Sequence, residues 1–201
     1  MIKYILHGGA TKIDNKSNQD FNQEIVKDLQ EPIKILLVCF AKDKEQWKDA
    51  FERHKSYLIK YNLGKNFEFA LADENSVRFI DQIKNNHVLY FVGGSDELLQ
   101  KYLKKINDLG TLFNDKVVVG SSAGANMLAK YYYSTDDNCI KNGLGILPIK
   151  VFCHYKNNLK ELEELKKYKE NLKIYTIYET EYLVIKQIIS PCHGQGRSFE
   201  C

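Results

Sequence analysis

Short, almost purely apolar runs alternate along the chain with longer stretches in which apolar positions recur every three or four residues. The runs at residues 2–6, 33–40, 67–71, 88–92 and 117–119 are rich in Val, Ile, Leu and aromatic residues, the composition of strands buried on both faces. Between them, Phe21, Ile25, Val26 and Leu29 define one face of a helix over 19–29, with Pro32 beyond its end. Trp47, Phe51, Tyr57, Leu58 and Tyr61 mark a longer helix over 43–61 that stops at Asn62-Leu63-Gly64. Val77, Ile80 and Ile83 mark the inner face of a third, and Leu98, Leu99, Leu103 and Ile106 that of a fourth. This rhythm predicts an α/β fold, with a mostly parallel central sheet and helices on both faces.

Downstream the pattern changes. Residues 131–142 read as polar and irregular after three tyrosines, and 146–152 as a strand ending at His154. Residues 158–170 form a charged helix in which Leu159, Leu162 and Leu165 supply packing contacts. The short apolar runs 172–177, 182–185 and 188–189 predict an antiparallel finish to the sheet. The tail 190–201 carries little pattern.

Several of the strands run straight into glycine: His7-Gly8-Gly9, then Gly93-Gly94-Ser95-Asp96, then Gly120-Ser121-Ser122-Ala123-Gly124. Open parallel sheets bind ligands at the C-terminal ends of their strands, where these loops fall. The third loop has the G-x-S-x-G spacing of a nucleophile elbow, in the strand-turn-helix context that such an elbow requires. Ser122 is then the nucleophile. Small neighbours let other backbone approach it, and the N–H of Ala123 at the start of the following helix is placed to donate to an oxyanion.

The 201 residues are predicted to form a single domain spanning 1–201, with 29 basic and 26 acidic residues and a net charge of +3. The lysines are spread over several amphipathic segments, which argues against a nucleic-acid partner. No apolar run reaches membrane-spanning or signal-peptide length, so the expected setting is cytoplasmic, without a membrane partner. Cys39, Cys139, Cys153, Cys192 and Cys201 show no metal-ligand spacing and read as reduced thiols, with Cys39 and Cys153 as buried apolar side chains. No metal and no cofactor is expected.

A serine nucleophile needs a base, and the base a group to orient it. Of the five histidines, His54 reads as a surface residue of its helix, His87 as part of an exposed turn, and His193 falls in the tail. His154 ends the strand that follows the elbow helix and is the assigned base. His7, before Gly8-Gly9, is its competitor, placed to line the pocket or accept a hydrogen bond from it. Three acids compete to orient the base: Asp137, Glu179 and Glu181.

The GSSAGA of residues 120–125, the FVGGSDELL of 91–99, a histidine at the end of the next strand, the IYETEYLVI of 177–185 and the opening HGG together resemble the peptidase E (aspartyl dipeptidase) family. That family groups serine peptidases with the cyanophycinases on the class I glutamine amidotransferase-like fold. The resemblance implies a Ser-His-Glu triad of Ser122, His154 and Glu179, with Gly93 and Gly94 supplying a backbone oxyanion donor beside Ala123. It places Asp137 at an acidic position near the site, as a substrate-binding or structural residue. Aspartate recognition calls for a cation, and Tyr155-Lys156-Asn157-Asn158 holds no arginine, which leaves Lys156 or Lys160 to supply it. The implied activity is hydrolysis of short peptides, α-aspartyl dipeptides among them, by a monomer or homodimer. An esterase or amidase built on the same elbow, and a non-catalytic member that binds a small molecule or partner, are the alternatives.

Overall fold

The structure is a computed structural model that describes residues 1–188 and the strand Ser198–Glu200. Five apolar runs form the parallel part of one sheet: β1 (Ile2–His7), β2 (Ile33–Val38), β3 (Phe67–Leu71), β4 (Val88–Phe91) and β5 (Val117–Ser121). Every residue of β1, β4 and β5 is buried, which is why these stretches show no polar alternation. β10 (Tyr182–Ile188) and β11 (Ser198–Glu200) add antiparallel strands beyond β1, giving the order β11-β10-β1-β5-β4-β2-β3. The expected break at Lys186-Gln187 does not occur: β10 runs through it, paired with β1.

The flanking helices are α1 (Lys16–Val26), α2 (Trp47–Tyr61), α3 (Ser76–Asn85), α4 (Asp96–Leu103), α5 (Ala123–Leu128) and α6 (Leu159–Lys167). Side-chain caps set several of their starts. Asn15 accepts from the N–H of Asn18, so α1 begins at Lys16, ahead of the start expected at residue 19. Asn75 accepts from the N–H groups of Val77 and Arg78 and thereby turns Val77 outward, where it is 75% exposed. The inner face of α3 is therefore made by Phe79 and Ile83, with Val77 excluded.

The largest departure from the expected architecture lies between 129 and 177. Residues expected to be irregular form a hairpin of β6 (Ala129–Ser134) and β7 (Cys139–Asn142), in which Tyr131, Tyr132 and Tyr133 are all buried. β8 (Leu147–Cys153) pairs parallel with β6, and β9 (Ile174–Ile177) parallel with β8, making a separate four-stranded sheet ordered β7-β6-β8-β9. The strand that leads to His154 thus belongs to this second sheet. Tyr133, Phe152, Tyr155 and Leu165 form its own apolar cluster under α6. Lys150, fully buried in β8, donates from Nζ to the carbonyls of Leu165 at 2.8 Å and Lys166 at 2.9 Å, fastening the last turn of α6 to the sheet.

Candidate active site

Ser122 follows β5 directly and caps α5 with φ 50° and ψ −111°, a backbone conformation that a residue with a side chain rarely adopts. Two backbone bonds hold it there: its N–H donates to the carbonyl of His7 at 2.9 Å, and its carbonyl accepts from the N–H of Asn126 at 2.9 Å. Such over-determined strain is characteristic of functional positions. The glycines of the elbow are required by close approach. A Cβ at Gly120 would lie 2.6 Å from the carbonyl carbon of Gly124, and one at Gly124 would lie 2.3 Å from the carbonyl oxygen of Phe91.

His154 stands one residue past β8, also with positive φ, and Glu179 two residues past the neighbouring parallel strand β9. The Ser122 hydroxyl lies 2.8 Å from His154 Nε2, and His154 Nδ1 lies 3.1 Å from Glu179 Oε1. Two sheets therefore meet at the site, one delivering the serine and the other the histidine and the glutamate. The glycine loop after β1 clamps them together. The Gly8 carbonyl accepts from the N–H of His154 at 3.1 Å, the Gly8 N–H donates to the Glu181 carbonyl at 2.9 Å, and the Gly9 carbonyl accepts from the N–H of Thr180 at 3.0 Å. A Cβ on Gly9 would sit 2.1 Å from the imidazole of His154, so the loop has to be glycine for the ring to lie where it does.

Of the remaining expected residues, Gly93 and Gly94 lie beside the nucleophile: a Cβ on Gly93 would be 3.1 Å from that of Ser122, and Gly94 adopts φ 154° against the carbonyl of Ala41. Ala123 opens α5, so its N–H has no carbonyl within the helix to bond. Lys156 shares a cavity of about 350 Å³ with His154 and Glu179.

One expectation needs correcting, and another resolves to one of its alternatives. His7 is fully buried and does not line the pocket. Its Nε2 donates to Asn18 Oδ1 at 2.8 Å, its Nδ1 accepts from the N–H of Gly9 at 3.1 Å, and burial lowers its pKa to about 4, so it is a neutral structural pin under the glycine loop. Asp137, expected to be substrate-binding or structural, is engaged within the β6–β7 hairpin, accepting from Ser134 Oγ at 2.7 Å and from Lys141 Nζ at 2.6 Å. Its neighbour Asp136 is the one that lines the space beside Ser122 and His154.

Sequence reasoning missed Asp96 and Asn126, which line the same small space as Ser122. Burial raises the pKa of Asp96, opposed by hydrogen bonds from Asn126 and Tyr132. Asn126 donates from Nδ2 to Asp96 at 3.3 Å, while its buried Oδ1 has no protein partner among the described residues. The FVGGSDELL segment contained the signal for Asp96, an acid directly after a glycine loop at a strand end. His54, expected on the surface, is half-buried, with its ring 5.0 Å from that of Tyr90, edge to face. A cavity of about 410 Å³, lined by Leu103, Gly110 and Ile146 among others, shares no lining residue with the Ser122 site.

The sequence profile of peptidase family S51 matches residues 4–188. The chain belongs to peptidase family S51. It is thus a serine-type peptidase of the peptidase E group. A search of curated proteins returns no match. Among solved structures, a peptidase from an acI-B1 Actinobacterium superimposes with a TM-score of 0.67 at 17% identity, over 98% of this chain and 93% of that one. A peptidase E candidate from Listeria monocytogenes EGD-e gives a TM-score of 0.62 at 19% identity, over 100% of this chain and 98% of the other. At these identities the two structures establish the common α/β fold. Among the described residues, no helix is long and apolar enough to cross a membrane, and no group of three or more His, Cys, Asp or Glu side chains is arranged to hold a metal ion.

Proposed function

We propose that this S51 peptidase hydrolyses short peptides, α-aspartyl dipeptides among them, through a Ser122-His154-Glu179 triad and an acyl-enzyme. The observation that carries the reading is the continuous relay from the Ser122 hydroxyl to Nε2 of His154 at 2.8 Å and from Nδ1 to Glu179 at 3.1 Å. In this reading Nδ1–H donates to Glu179, which leaves the Nε2 lone pair to take the serine proton as Oγ attacks the scissile carbonyl. The developing oxyanion is met by the N–H of Ala123, helped by the positive end of α5, and by the backbone of Gly93 and Gly94. His154 then gives its proton to the leaving amine, and water, activated by the same imidazole, releases the acyl group. Lys156, beside Glu179, is a candidate contact for an acidic substrate side chain. Glu179 is 45% exposed in its side chain, so its role is to fix the tautomer and orientation of His154 more than to contribute a buried charge.

The test is hydrolysis of a panel of Asp-X and Ala-X dipeptides by wild type, His154→Ala and Glu179→Gln. Glu179→Gln is expected to lower kcat roughly a hundredfold, with KM little changed. Turnover of simple esters without cleavage of any peptide would instead favour an esterase on the same elbow.

A further inference from the structure

On one side of Ser122 lies a second cavity, of about 250 Å³, whose polar lining is basic: Lys12, Lys42, Arg53 and His54, closed by the Gly9 and Gly94 loops and by His154. No carboxylate pairs with any of the three cations among the described residues, whereas Lys60, on the same helix as Arg53, binds Asp14. The cations come from three separate places, the loop after β1, the loop after β2 and the middle of α2. The fold therefore gathers positive charge without a paired carboxylate next to its nucleophile, where an anionic group of a ligand would meet complementary charge. Burial, reinforced by Arg53 and Lys42, lowers the His54 pKa to about 4, leaving a neutral imidazole with hydrogen-bonding capacity beside those cations.

A smaller space that Ser122 also lines has the opposite character. Asp96 and Asp136 line the small space next to the hydroxyl, and the buried Asn126 Oδ1 there is an acceptor without a protein partner among the described residues. A hydrogen-bond acceptor buried to that degree is normally satisfied, and an N–H donor brought by a ligand would satisfy it. The nucleophile thus lines both an acceptor-rich, acidic space and a basic one.

The geometry points to a carboxylate subsite formed by Lys42, Arg53 and Lys12, which holds the free C-terminus of the substrate one residue beyond the scissile bond while the acidic side takes the free amine. This assignment rests on the serine-peptidase reading of Ser122 and adds to it the class of substrate: a short zwitterion recognised by its two charged ends. A single residue spans roughly 3.5 Å of chain, so the carboxylate of a residue directly after the scissile bond falls within reach of a cavity that Ser122 itself lines. Charge-assisted contacts of this kind discriminate strongly against a neutral replacement.

The test compares Asp-Leu with Asp-Leu-amide in wild type, in the Lys42→Gln/Arg53→Gln double variant, and in Lys65→Gln, which removes a positive charge outside the basic cavity. A fluorophosphonate label on Ser122 is followed in parallel. Wild type and Lys65→Gln are expected to favour the free acid by about tenfold or more in kcat/KM, and the ratio should collapse toward one in the double variant with labelling retained. Equal cleavage of acid and amide by wild type, or a ratio unchanged in the double variant, would overturn the carboxylate subsite and leave the triad standing. Absence of labelling in folded wild type would overturn the acylation reading, and the subsite with it.

Discussion

The buried histidine beneath the glycine loop makes this protein sensitive to mild acid, and the size of the effect follows from its surroundings. His7 has no exposed surface, its ring lies 4.3 Å from that of Phe21, and both nitrogens are engaged as a neutral imidazole, Nε2–H to Asn18 and Nδ1 to the N–H of Gly9. Protonation of Nδ1 would place a charge in the core and oppose two N–H groups to each other. Burial, with a smaller contribution from the charge of His154, accordingly lowers its pKa from 6.5 to about 4. The unfolded chain therefore binds this proton first as pH falls. The stabilisation is complete above pH 6.5, is lost as pH drops from 6.5 toward 4, and changes no further below that. Between about pH 7.5 and about pH 5 the loss from this one group is about 2 kcal/mol. Urea unfolding of wild type and of His7→Gln at both pH values measures it. The glutamine variant, whatever its stability at neutral pH, should lose about 2 kcal/mol less than wild type over the interval. Parallel pH dependences for the two proteins would refute the reasoning.

Two further substitutions probe how the sheets hold the site. Lys150→Met removes the donor to the Leu165 and Lys166 carbonyls and should cost about 1–3 kcal/mol, with hydrogen exchange quickened first in α6; unchanged protection there would contradict the capping role. Gly124→Ala places a Cβ 2.3 Å from the Phe91 carbonyl oxygen and should lower stability by about 1–3 kcal/mol in thermal unfolding, because α5 must lift off β4. An alanine variant as stable as wild type would show that the contact relaxes freely.

How far these features could be read from sequence depended on whether the signal was local. The buried parallel strands announced themselves as unbroken apolar runs, and Ser122 stood out because its glycines and its strand-turn-helix setting are contiguous in sequence. The pairing of His154 with Ser122 was also legible, since a strand end is a local feature, but the sheet to which that strand belongs was not. Tyr131, Tyr132 and Tyr133 carry no alternation because both faces of β6 are covered, so a strand looked like a loop. Which of the two roles expected for Asp137 it takes was not legible: Ser134 and Lys141 hold its carboxylate within the hairpin, and Asp136, one residue before it, lines the space beside Ser122. Val77 failed because an asparagine cap outweighed a helical period. The basic cavity was invisible for a different reason: Lys12, Lys42 and Arg53 are far apart along the chain, each ordinary in its own segment, and only the packing of β1, β2 and α2 brings them to one rim. The expectations for Cys192, His193 and Cys201 lie outside the described residues.

In the proposed mechanism the chemistry turns on Ser122 being activated by His154 and on Glu179 orienting that base. The most direct measurement is the rate at which a fluorophosphonate probe labels the protein, with the modified residue mapped by mass spectrometry, in wild type, Ser122→Ala, His154→Ala and Glu179→Gln. A single adduct on Ser122 is expected in wild type and none in Ser122→Ala, with labelling slowed by roughly a hundredfold or more in His154→Ala and by an intermediate factor in Glu179→Gln. Folded wild type that takes up no label, or a label that forms on Ser122 equally fast without His154, would contradict the triad.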